Sequence, residues 1–182
     1  SFYFDIRKDV LYCDSLNSKK RRDCVTVLNI ILESLLKWFA PILVFTTDEI
    51  FSLINKNEKD SIHEYLFVEI PKKWENKKLD EKWIKLFKIK QEANIAIEEK
   101  RANKEIGSSL EAEIKITANA NNFELLEGLD LAEYFITSKA EKIKSNSEKD
   151  IKIEVKKING SKCPRCWKIL EKKCSRCEVA LL

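Results

Sequence analysis

Four of the six cysteines fall into two pairs of equal spacing, Cys163-Pro164-Arg165-Cys166 and Cys174-Ser175-Arg176-Cys177, with seven residues between the pairs. Two residues between thiols let a tight turn point both sulfurs at one ion. A second such knuckle completes a tetrahedron with Zn–S bonds of about 2.3 Å. The spacing therefore predicts one zinc ion on Cys163, Cys166, Cys174 and Cys177. Its role is structural, because four protein ligands leave no position for water or substrate. Four thiolates around a divalent ion carry excess negative charge, and Lys162, Arg165, Lys168 and Arg176 are of the sign that offsets it. Paired disulfides are disfavoured in a reducing cytosol, and a thioredoxin-type pair needs only one C-x-x-C beside a βαβ pattern. An iron–sulfur cluster can use the same ligands, but a double knuckle on a short basic hairpin is more usual for zinc. Cys13 and Cys24 stand outside the pattern and read as ordinary thiols, one half exposed and one near the start of a helix.

No other constellation points to catalysis. The sole histidine, His63, lies in an irregular segment and reads as structural. The three glycines, Gly107, Gly128 and Gly160, are too far apart for a phosphate-cradling loop. No catalytic residue is assigned. Charge carries more information: the net +4 is concentrated at Lys19, Lys20, Arg21 and Arg22 near the start and at Lys162, Arg165, Lys168, Lys172, Lys173 and Arg176 near the end. Such clusters suit a polyanion, whose condensed counterions are released when Lys and Arg neutralise phosphates. In a chain this rich in lysine, a solvated surface is the competing reading.

The elements that must position these groups follow from periodicity. Phe2, Ile6 and Leu11 suggest a helix at the start. Val25, Leu28, Leu32, Leu35 and Phe39 alternate steps of three and four, one face of a helix ending near Pro41. A second start follows, with Thr46 as cap, Glu49 closing a capping box and Phe45 stapled onto Ile50. Residues 55–78 read as irregular, anchored by Phe67 and Trp74. Asp80 is expected to cap a longer helix with Trp83, Leu86, Ala93 and Ile97 on one face, ended by Gly107. Leu110, Ala112, Ile114 and Ile116, then Ile151, Ile153 and Val155, alternate with polar residues as half-buried strands do. Between them, 123–136 suggests a short helix and another strand, and 138–150 a polar connection. The fold class is mainly α: a helical bundle (1–106), a small α+β module (107–160) and a four-cysteine zinc ribbon or knuckle (161–182).

A length of 182 residues with 44% hydrophobic and 35% charged residues indicates a globular chain with a real core. No apolar run approaches the roughly 18 residues of a membrane span, and no signal-peptide pattern opens the sequence, so a cytoplasmic location is expected. The chain begins Ser1-Phe2-Tyr3-Phe4 and contains no methionine, which reads as a piece of a longer protein.

Several segments carry a family resemblance. Phe4-Asp5-Ile6-Arg7-Lys8-Asp9-Val10-Leu11-Tyr12-Cys13, Arg21-Arg22, Trp38-Phe39-Ala40-Pro41-Ile42-Leu43, Phe45-Thr46-Thr47-Asp48-Glu49-Ile50, Ser61-Ile62-His63 and Ile106-Gly107-Ser108-Ser109-Leu110-Glu111-Ala112 follow one another in order. Together with Lys162-Cys163-Pro164-Arg165-Cys166-Trp167, they resemble the C-terminal region of bacterial isoleucyl-tRNA synthetases over nearly the whole chain. The Pro-Ile-Leu and Phe-Thr elements are shared with valyl and leucyl relatives. The Asp-Ile-Arg-Lys-Asp run and the Cys-Pro-Arg-Cys-Trp ending point to the isoleucine family. The seven-residue gap between knuckles is shorter than that family's.

The resemblance implies a class I aminoacyl-tRNA synthetase, an ATP-dependent ligase, whose anticodon-binding domain, junction module and zinc domain grip the anticodon arm of isoleucine tRNA. The implied partners are that tRNA and upstream catalytic and editing domains of the same chain, in a cytoplasmic monomer. ATP and isoleucine sites would lie in the catalytic part. Unstacked anticodon bases pack on aromatic and guanidinium planes while phosphates take cations. Candidate tRNA contacts are thus Lys19, Lys20, Arg21, Arg22, Arg165, Trp167, Lys168 and Arg176. The competing class is a free-standing zinc-ribbon module such as the finger of a DNA-repair glycosylase, which would not carry the upstream helices. A protein-interaction adaptor is the blandest reading.

Overall fold

Ile6, Val10 and Cys13 recur at steps of four and three and form the buried side of helix α1 (Phe2–Cys13) in the computed structural model, which describes residues 2–55, 60–145 and 151–180. Parts of the connections at 55–78 and 138–150, and the last two residues of the expected zinc domain, lie outside the described residues. The chain divides into two compact units, Ser1–Ser15 with Asn76–Leu182, and Leu16–Glu75. Among the described residues no helix is long and apolar enough to cross a membrane.

Within Leu16–Glu75, helix α2 (Lys19–Phe39) opens on Ser18, whose Oγ accepts from the Arg21 amide at 3.4 Å. The expected stripe is not the inward one: Val25, Leu32, Leu35 and Phe39 are exposed, whereas Cys24, Ser34 and Leu36 are buried. Apolar residues lie nearly all round this helix, so periodicity alone selects no side. Packing selects it, through a core of Leu36, Ala40 and Ile62 backed by Ile50 and Phe51. Helix α3 (Val44–Ile54) begins before the expected cap, with no side-chain cap at Leu43. The capping box at Thr46 and Glu49 is not the start: Thr47 lies inside the helix with its Oγ1 donating to Leu43 O at 2.9 Å, and Phe45 is exposed. Asp48 instead closes the irregular segment, accepting from Ser61 Oγ at 2.7 Å and the Ile62 amide at 3.0 Å. Those bonds hold its carboxyl below the usual range. Phe67 and Trp74 are exposed, so Ile62, 1% accessible, is the anchor in their place.

In the other unit, helix α4 (Lys77–Ala102) is capped by Asn76, whose Oδ1 accepts from the Leu79 amide at 3.0 Å; Asp80 lies in the first turn. It ends before the expected Gly107, and the left-handed residue there is Lys104, with φ 58°. Leu86, Ile89, Ala93 and Ile97 form its buried face. Phe2 sets its ring edge against Trp83, Phe87 and Tyr134, which locks α1 into this core.

Strand β1 (Ala112–Ala118) buries Ala112, Ile114, Ile116 and Ala118 completely, as its alternation requires. Residues 120–136 hold two short helices, α5 (Ala120–Leu125) and α6 (Leu131–Phe135), and not a helix and a strand. Asn119 and Asp130 cap them, accepting from Asn122 and Glu133 amides at 3.0 and 3.1 Å. The strand is instead β2 (Lys139–Lys144), inside the expected polar connection. β3 (Ile151–Lys157) completes the sheet in the order β2-β1-β3, with β1 parallel to β2 and antiparallel to β3. Parallel neighbours need a crossover, which α5 and α6 supply. β2 escapes sequence reading because it is a lysine-rich edge strand.

The tail folds as a hairpin, β4 (Ser161–Lys162) with β5 (Ile169–Leu170), followed by α7 (Ser175–Val179). Gly160 enters it at φ 148°, where a Cβ would stand 2.5 Å from Leu170 O.

Candidate metal centre and nucleic-acid interface

The hairpin and α7 each present one cysteine pair. In the first knuckle the Trp167 amide donates to Cys163 O at 3.0 Å and the Cys163 amide to Lys168 O at 2.9 Å, closing the turn that carries Cys163 and Cys166. In the second, amides of Cys177 and Glu178 both donate to Cys174 O at 3.0 Å, so the pair occupies the first turn of α7. The four sulfurs lie within 4.8 Å of one another, and those of Cys166 and Cys174 are 3.8 Å apart. A tetrahedron of about 2.3 Å metal–sulfur bonds sets a sulfur separation of about 3.8 Å, so the donor set fits a thiophilic divalent ion. Cys163, Cys166 and Cys177 are buried and Cys174 is half-buried.

Charge in the cluster is unevenly accommodated. Burial raises the Cys163 thiol, but the Cys166 and Arg165 amides aimed at it prevail and bring it down to about 7. Burial, with the Cys163 and Cys174 thiols, pushes Cys166 up, and burial with the other three thiols pushes Cys177 up. Four thiolates in so small a volume need a cation among them.

The structure brings Arg165, Trp167, Lys168 and Arg176 together on the knuckles, and it also brings in Asp9, Tyr12, Cys13 and Asp14, none of which the sequence assigns to the site. Arg176 forks onto Asp9 with Nη1–Oδ2 and Nη2–Oδ1 distances of 2.6 and 2.8 Å, and reaches Asp14 at 3.5 Å. Lys168 Nζ stands 3.9 Å from the same Asp9 carboxylate. Arg165 Nη2 donates to Tyr12 O at 3.1 Å, and Cys13 Sγ donates to Arg165 O at 3.7 Å. Burial raises the Asp9 carboxyl, but Arg176 and Lys168 hold it below the usual range; the Asp9 hydrogen bonds raise Arg176 in turn. Cys13 is not the half-exposed thiol expected: it is 4% accessible and packs against Cys163, Cys166 and Cys177. Asp9, Tyr12 and Cys13 share a helical face by spacing, which is the only signal the sequence holds. That this face meets residues 163–177 is a tertiary fact.

Trp167 is 59% accessible and has φ 63°, a left-handed conformation uncommon for a bulky residue. Lys162 Nζ sits 5.5 Å from its ring centroid. Trp167 also walls a largely apolar groove of about 460 Å³, with Ile6, Asp9 and Tyr12 of α1, Ile136 and Arg165. Ile136 is left-handed too, at φ 58°.

Lys19, Lys20, Arg21 and Arg22 form the first turn of α2 in the Leu16–Glu75 unit. Lys19 pairs with Asp23 at 2.6 Å, and Lys20 and Arg22 are exposed. No acidic residue sits in that turn, so the cations face the positive end of the helix dipole.

Residues 1–116 match the family described as "Anticodon-binding domain of tRNA ligase". The chain is 56% identical over 176 residues to the isoleucine–tRNA ligase of Pelagibacter ubique, covering 97% of this chain and 19% of that protein. It is 42% identical over 168 residues to that of Methylacidiphilum infernorum (92% and 18%) and 41% over 190 residues to that of Haemophilus influenzae (94% and 20%). The chain thus spans about a fifth of the length of the curated relatives it matches.

Proposed function

The chain belongs to the family of anticodon-binding domains of tRNA ligases, and from that premise we propose that it reads the anticodon arm of isoleucine tRNA as the C-terminal region of an isoleucine–tRNA ligase. The observation that carries this reading is the four-thiol knuckle, which holds the exposed Trp167 among Lys162, Arg165 and Lys168 beside the anticodon-family segment. Cys163, Cys166, Cys174 and Cys177 hold one structural zinc. The ion supplies folding free energy to a tail with few large apolar residues. Trp167 offers an unstacked base its indole face, while the cations take flanking phosphates. At the α2 N-terminus, a phosphate would be drawn to the exposed Lys20 and Arg22 and to the positive end of the helix dipole.

In this division of labour residues 1–106 bind the anticodon arm, 107–160 form the junction and 161–182 the zinc domain. Joining isoleucine to tRNA with ATP, and editing the product, belong to the remainder of such a ligase, a cytoplasmic monomer. The test is competition binding of the zinc-loaded chain to isoleucine tRNA against a non-cognate tRNA and duplex DNA. Preference for isoleucine tRNA, lost together with about one zinc per chain in Cys174→Ser, is the expected result. Equal affinity for all three nucleic acids, or a serine variant that binds normally, would overturn the reading.

A further inference from the structure

Both knuckles are anchored to the last two turns of α1, and they share one carboxylate. Arg176, between the ligand-bearing positions 174 and 177, forks onto Asp9 at 2.6 and 2.8 Å. Lys168, two residues after Cys166, approaches the same group at 3.9 Å. Arg165 reaches the Tyr12 carbonyl, where a free helix C-terminus lacks donors, and Cys13 returns a bond to Arg165 O. Trp167 therefore stands between two residues, Arg165 and Lys168, that are both drawn to α1. Its left-handed backbone is a conformation that persists only where the surroundings over-determine it. The same contacts set the distance between the α1 wall and the Trp167 wall of the 460 Å³ groove.

We infer that Asp9 is a positioning residue for tRNA reading: by clamping Arg176 and Lys168 it fixes both knuckles on α1 and holds the Trp167 indole out for a base. This deepens the proposed function and rests on it. It also changes the role of Arg176, whose guanidinium is committed to a carboxylate of its own chain instead of to phosphate. A carboxylate beside an RNA-binding surface is electrostatically adverse, which gives the inference a test of sign. On charge alone, Asp9→Asn removes one negative charge and leaves Arg176 with Asp14, at 3.5 Å, so it should tighten binding to a polyanion. If Asp9 positions the platform, the same substitution weakens binding.

The experiment compares the zinc-loaded chain with Asp9→Asn, Asp9→Glu, Arg176→Gln and the Asp9→Asn/Arg176→Gln double variant. The probe is an isoleucine tRNA transcript, titrated at several salt concentrations. Cobalt substitution reports the thiolate site through its charge-transfer and d–d bands. The expected result is a loss of about tenfold or more in Asp9→Asn and in Arg176→Gln, with the double variant no worse than either, because the two residues act as one unit. Asp9→Glu should recover part of the loss, the salt slope should stay that of the wild type, and the cobalt spectrum should be unchanged. Asp9→Asn that binds as tightly as wild type or tighter overturns the inference. So does Arg176→Gln whose loss comes with a slope shallower by about 0.7 to 0.9, the mark of one lost phosphate contact. A changed cobalt spectrum would reassign Asp9 to metal-site folding and overturn it as well. Absence of any wild-type preference for isoleucine tRNA overturns the functional reading and this inference with it.

Discussion

At the scale of single residues, the tail depends on a few positions that tolerate no substitute. Gly160 is one, because its φ of 148° lies in a region L side chains avoid and a Cβ there would sit 2.5 Å from Leu170 O and 2.7 Å from Leu170 C. Those atoms are backbone of β5, so the clash cannot be relieved by a rotamer change. Gly160→Ala should destabilise the hairpin by about 1 to 3 kcal/mol. Because metal binding and folding of the tail are one equilibrium, zinc affinity should fall by roughly ten- to hundredfold. Competition with a chromophoric chelator measures this, and an unaltered zinc affinity would show that the hairpin register is not needed for the site. Trp167 is the reverse case, since its φ of 63° would suit glycine or asparagine better and falls instead on an exposed indole.

At the scale of elements, helix starts show how local chemistry and packing divide the decision. The Asp80 start and the Asn76 start are both legitimate from residue types, since each side chain can accept from a helix amide. The structure chooses Asn76, which lets α4 begin four residues earlier and leaves Asp80 in the first turn near the dipole. Asn76→Ala should therefore cost about 1 kcal/mol, and Asp80→Ala only a few tenths. Thermal denaturation of the two variants checks the order, and equal or reversed losses would contradict the cap. α3 shows the opposite outcome: a well-formed capping box in the sequence is bypassed because the helix already begins at Val44, with the Thr47 amide donating to Leu43 O at 3.0 Å. The β2 strand was illegible for a different reason, since an edge strand of alternating lysines buries too little to leave a pattern.

At the scale of the whole molecule, the separate cores set how far the loss of metal will spread. The Leu16–Glu75 unit has its own cluster of Leu36, Ala40 and Ile62. α1, by contrast, is buried against the cysteines through Cys13 and tied to them through Asp9. Chelation should therefore deprotect the amides of 161–180 and also those of about 9–14 at the end of α1, while amides of α2 around Leu36 keep their exchange rates. Hydrogen exchange before and after chelation reads this directly. Loss confined to the tail would mean that α1 is held without the knuckles. Far-UV helical signal should change little, because α7 is only five residues long.

The sequence by itself determined the four-thiol site, the two sheet strands with strict alternation, the long helices and the family resemblance. Each is written in local spacing: C-x-x-C turns, a period of two, a period near 3.6. The identity of 56% to a ligase of known name is a further statement of the same local information. Only the tertiary structure decided which side of α2 faces inward, where β2 lies, that Cys13 is buried beside the four-cysteine cluster, and that Arg176 grips Asp9. These are pairings between residues up to 167 positions apart. An ion pair or a buried face is chosen by what the folded chain brings opposite it, and one-dimensional spacing holds no record of that partner.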